Sequence, residues 1–156
     1  MKKRILALAV LCSVFVLLAG CEREKHRLDE EVRRLCAKDG GVKVYETVKF
    51  TPKLLDRFGR IWIPSIEDAN ESDEYYYVSE KVYLYGGKTS QIEEAVMWRD
   101  HDQVIRRSDG KILGESVYYA RRGGDIPGPW HPSHFGCPEL KDLGLIEKVF
   151  IRSNME

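Results

Sequence analysis

Arg106-Arg107-Ser108-Asp109-Gly110-Lys111-Ile112 is the stretch that decides the fold of this chain. An Asp-Gly pair between two extended runs is a strong short-range hairpin signal, because both residues admit the positive φ that a tight reversal needs. Upstream, Glu94 to Arg107 reads as a long extended segment, and downstream Ile112 to Arg122 returns along it. Residues near Arg106 and Ile112 should therefore face each other across the turn. Tyr75 to Tyr85, dense in Tyr and Val and closed by Gly86-Gly87, reads as another strand, with a turn at 88 to 93 leading into the hairpin.

Further upstream, Leu28, Val32, Leu35 and Cys36 recur at helical spacing. Asp29 to Glu31 is acidic in the first turn and Gly40-Gly41 stops the element, so the spacing predicts an amphipathic helix over 28–38. Val42 to Phe50 alternates as a half-buried strand, and a short helix is expected from Pro52 to Phe58. Trp62 to Ser72 reads as a loop with Trp62 as an aromatic plug. The Pro127 to Pro138 region reads as an irregular loop, and Glu147 to Arg152 as a last short strand. A helix first, then consecutive strands with short turns, gives an α+β fold: an N-terminal helix packed on a meandering antiparallel sheet of about four to five strands.

The N-terminus carries an address. Lys2, Lys3 and Arg4 precede an apolar run from Ile5 to Ala19, 15 residues long, whereas crossing a bilayer takes about 20. This is the layout of a secretory signal. Leu17, Ala19, Gly20 and Cys21 resemble the acceptor site of bacterial lipoproteins, which implies cleavage before Cys21 and lipid on its sulfur and amine. The expected organisation is a removed signal over 1–20, a charged tether over 21–27 and one globular domain over 28–156. Two or three acyl chains hold a protein firmly to a membrane. Glu22 stands where an aspartate would resemble inner-membrane retention, so the periplasmic leaflet of the outer membrane is favoured. Removing residues 1–20 from the 156 leaves 136, and takes away three basic and no acidic residues. The remaining 22 basic against 25 acidic side chains give a charge near −3, which argues against nucleic acid as a partner.

Cys12 leaves with the signal and Cys21 carries lipid, so Cys36 and Cys137 remain in an oxidising compartment. They either pair across a long loop or stay as two buried thiols. Leu35 to Lys49, Arg106 to Glu115, Arg121 to Asp125 and the loop from His131-Pro132-Ser133 to Cys137-Pro138 are similar to small uncharacterised lipoproteins of proteobacteria and their prophages. That resemblance spans most of the domain. It implies a shared fold and a Cys36–Cys137 pairing, and brings no known activity.

Candidate chemistry is sparse. Glu46, Glu80 and Glu115 each sit between apolar residues at i±2 on an expected strand, so strand geometry aims each carboxylate with apolar neighbours. They are the candidate catalytic residues if two line a cleft, as in glycan cleavage. The plainer arrangement pairs them with Arg99, Arg106 or Arg121, or leaves them solvated. His131, His134 and Cys137 have a spacing that could suit a metal, but pairing would consume the thiol, and no metal is expected. Trp130, His131 and His134 form the best recognition patch, and Trp98, Tyr118 and other aromatics could stack on sugars or simply fill a core. No nucleophile elbow, phosphate-cradling loop or dinucleotide fingerprint occurs, so no cofactor is expected. The reading is an envelope lipoprotein held to the membrane through Cys21, whose domain is a non-enzymatic module for an envelope protein or polymer. The alternatives are a tethered envelope glycan hydrolase and an inhibitor that shields the envelope from a lytic enzyme.

Overall fold

The computed structural model describes residues 23–86, 94–125, 131–137 and 144–152. Cys21, Trp130 and the turn expected at 88–93 lie outside these residues. The elements run α1 (23–39), β1 (Gly41–Val44), β2 (Val48–Phe50), a 3-10 turn (Pro52–Leu54), β3 (Tyr75–Tyr85), β4 (Val96–Arg106), β5 (Lys111–Arg122), β6 (His134–Gly136), α2 (Leu145–Val149) and β7 (Phe150–Arg152). The protein is α+β, with the N-terminal helix on a mostly antiparallel five-stranded sheet. That sheet is ordered β1-β5-β4-β3 with β6 also on β5, and β2 and β7 form a small parallel pair.

The hairpin is built as its sequence requires. Arg106 pairs with Lys111 and Ile105 with Ile112. The loop between them spans 107–110 rather than two residues, and only Gly110 takes positive φ, at 67°. Asp109 instead uses its carboxylate, accepting from Arg106 Nη2 at 2.7 Å and from the Lys111 N–H at 3.2 Å. Between Val104 and Ile105 the register shifts. The extra residue on β5, Leu113, thereby joins the same core as Val104, and both are fully buried.

Two cores lie on opposite faces. One packs α1, through Leu28, Val32 and Cys36, on Met97, Val117 and Tyr119. The other gathers Ile63, Tyr75, Val104, Leu113, Val149 and Phe150 under α2. Cys36 and Cys137 stand at disulfide distance, S–S 2.02 Å with Cα atoms 5.6 Å apart, which fixes α1 to the end of β6.

Several expectations are corrected. Residues 23–27 are helix rather than tether, because their charged side chains are docked: Lys25 Nζ is 2.8 Å from Asp125 Oδ1, Glu24 accepts from the Tyr85 hydroxyl, and Arg27 lies 5.5 Å from the Tyr85 ring centroid. The strand expected over 42–50 is two strands in two sheets. The N–H groups of Tyr45 and Glu46 both donate to the Leu113 carbonyl, at 2.8 and 2.9 Å, and turn the chain away. Trp62 is 60% exposed, and the plug of that loop is Ile63 at 2%. The short helix expected to Phe58 stops at Leu54, Glu147 lies in α2 rather than in the last strand, and β6 interrupts the loop expected over 127–138.

Candidate functional site

Opposite α1, strands β3, β4 and β5 present two cross-strand rows, Ser79-Asp102-Ser116 and Lys81-Asp100-Tyr118. Successive residues of a strand alternate between faces, so these six share one face. With Tyr77, Val104, Leu145 and Ile146 they line an open groove of about 580 Å³, whose apolar end is walled by the start of α2.

The polar end is organised around Trp98. Its indole N–H donates to Asp100 Oδ2 at 2.8 Å, and Lys81 Nζ sits 3.1 Å from Asp100 Oδ1 and 4.9 Å from the Trp98 ring centroid. His134 on β6 stacks against Tyr118, with ring centroids 6.5 Å apart and planes 14° apart, and lies 6.0 Å from Trp98. Gly136 makes this possible, since any side chain there would collide with the Tyr118 ring. Burial, and then the charge of Asp100, push the Tyr118 phenol above its ordinary pKa, so it remains a protonated donor at neutral pH. Asp102 accepts only a long 3.4 Å bond from the Ser116 hydroxyl among the described residues. The groove can therefore recognise a ligand that brings both apolar surface and hydrogen-bond donors or positive charge.

None of the three candidate glutamates lines this groove. Glu46, in the turn after β1, pairs with Arg106 Nη1 at 2.5 Å and Lys111 Nζ at 2.6 Å across the hairpin end, and the lysine and then the arginine hold its carboxyl below the usual range. Glu115 accepts from the Tyr45 hydroxyl at 2.6 Å and lies 3.0 Å from His101 Nε2, contacts that hold it at about 2. Glu80 is exposed on β3, where His101 is its register partner. Glu80 and Glu115 thus lie on either side of His101 on the face opposite the groove, and Glu46 stands apart at the hairpin end.

Arg121 is the buried arginine, 1% exposed. It donates through Nε to Asp29 of α1 at 2.7 Å and through Nη1 to the Ser133 hydroxyl at 2.8 Å. Burial pushes Asp125 up, but Lys25 and the Ser133 N–H outweigh it and hold the carboxyl at about 2. Of the recognition patch, His131 and His134 are exposed and His134 joins the groove's polar end. Among the described residues no group of three His, Cys, Asp or Glu is placed to hold a metal ion, and Cys137 is committed to Cys36. No described helix is long and apolar enough to cross a membrane. No protein-family model, curated protein or solved structure matches the chain.

Sequence reasoning missed Asp100 and Asp102. Their signal is the alternation Trp98-x-Asp100-x-Asp102-x-Val104, which puts rings, carboxylates and an apolar residue on one face. It becomes informative once β5 is known to set Ser116 and Tyr118 beside it.

Proposed function

We propose that this chain is a lipid-anchored envelope protein whose domain is a binding module, and that the groove between β3, β5 and α2 is its binding surface. The signal-like N-terminus and Cys21 support the address, together with the resemblance to small lipoproteins of proteobacteria and their prophages. The observation that carries the binding reading is the groove itself. It is concave, faces away from α1, and sets the phenol of Tyr118 beside carboxylates and hydroxyls, with the indole of Trp98 bonded to Asp100 next to it. Aromatic rings next to a few convergent polar groups are the usual composition of recognition sites.

The test is site-specific photo-crosslinking of the full chain in its native membrane. A photoreactive residue at Ser79 or Ile146 should capture an envelope component, while one at Lys38, on the outer side of α1, should not. Equal capture from all three positions, or none from the groove, overturns the reading. Release of soluble fragments from purified envelope polymer by the wild-type chain would replace it with the hydrolase alternative. Labelling with a fatty-acid analogue checks the address, since Cys21→Ser should abolish incorporation.

A further inference from the structure

We infer that the groove receives a basic side chain, lysine or arginine, of a peptide segment of the partner. This rests on the groove being the binding surface and adds what it binds. The two ends of the groove differ in chemistry. Tyr77, Val104, Leu145 and Ile146 supply an apolar end with Glu147 of α2 beside it, and Asp100 and Asp102 supply negative charge at the strands. Among the described residues only one cation answers those three carboxylates: Lys81, which is bound to Asp100. Among the described residues Glu147 meets no cation, and Asp102 has only the 3.4 Å bond from Ser116. A carboxylate in a half-enclosed site gains most from a charge-assisted donor.

Lys81 shows that the surface accommodates such a group. Its ammonium rests against the Trp98 ring as well as on Asp100, combining a cation–π contact with an ion pair. A long basic side chain buries an alkyl stem and keeps a charged head in polar surroundings. The neighbouring apolar end and Asp102 offer that pair of environments a second time. The stem lies along Val104, Leu145 and Ile146, and the head reaches Asp102, with Ser79 and Ser116 as neighbouring hydroxyls.

Calorimetric titration of the full-length chain in a non-ionic detergent, with acetylated tetralysine amide as probe, tests this. Wild type should bind, and Asp102→Asn should weaken binding by at least about tenfold, the size expected for losing one charge-assisted bond. Lys81→Ala should tighten binding, because it frees Asp100 and removes a like charge, an effect that loss of folding would not give. Melting curves of both variants confirm that they fold. Absence of binding at about 1 mM, a weak limit on the affinity scale, overturns the inference. So does unchanged affinity in Asp102→Asn, or equal binding of a probe whose lysine amines are all acetylated. Equally tight binding of spermidine overturns the peptide source in favour of a free polyamine. If tetralysine fails while crosslinking from Ser79 and Ile146 persists, this inference alone falls; if crosslinking fails as well, the binding reading falls with it.

Discussion

At the residue scale, the side chain most committed to architecture is Arg121. It is buried, carries a charge, and draws α1 and the segment around Ser133 together through Asp29 and the Ser133 hydroxyl. Removing one member of a buried pair strands the other, which costs about 3 to 5 kcal/mol. Arg121→Met should therefore lower unfolding free energy by roughly that amount in urea titration. Acid sensitivity has a second, separable origin. Glu115 and Asp125 are held at about 2, below ordinary values of about 4. In that window the unfolded chain binds more protons than the folded one. Their contribution is complete above about pH 4 and is lost as pH falls towards about 2. The urea midpoint of wild type should drop across this range, and that of Glu115→Gln/Asp125→Asn should drop less steeply. Arg121 and the glutamates also show what single residues disclose in sequence. Arg106 was legible as a cation for Glu46, but the pair forms in the turn between β1 and β2 and not among the apolar strand neighbours the sequence suggested. That Arg121 would choose Asp29 was not legible, because the choice is made by α1 crossing β5, a contact 92 positions apart.

At the element scale, the hairpin offers a clean test. A Cβ on Gly110 would meet nothing within 4 Å, so substitution there acts through the backbone alone. Left-handed geometry costs an L-residue roughly 1 to 2 kcal/mol. Gly110→Val should destabilise by about that much, while Gly110→Asn should cost less, since asparagine visits this region more readily; thermal melts distinguish them. The strands were legible where the pattern is local: β3 spans Tyr75–Tyr85, and β4 and β5 flank the Asp-Gly turn. Legibility failed where distant partners decide. The Val-rich run after Gly41 has one continuous alternation, and only the Leu113 carbonyl and the two cations on Glu46 break it into β1 and β2. Residues 23–27 looked like solvated chain because Asp125 and Tyr85, which dock them, lie far along the sequence. The groove was hidden for the same reason: its rows draw on three strands, and its wall on Leu145 and Ile146, which precede the strand expected from Glu147 and instead open α2.

At the scale of the whole molecule, the sheet has a dressed side and a working side. α1 and the Cys36–Cys137 link occupy the first, and the groove opens on the second. That residues 23–27 belong to α1 bears on how the molecule could stand on a membrane. The chain is already helical at residue 23, which is two positions from Cys21 in sequence, and two residues of chain reach about 7 Å at most. With lipid on Cys21, the domain would be a bracket bolted to the bilayer rather than a float on a line, its groove held at one height and one attitude. Inserting about twelve Gly and Ser residues after Glu22 would extend the root-mean-square reach to about 20 Å. Groove-directed crosslinking should then shift from membrane-proximal components to ones deeper in the compartment. A domain mounted this way samples a thin layer of its surroundings, so what it can meet is governed as much by altitude as by affinity.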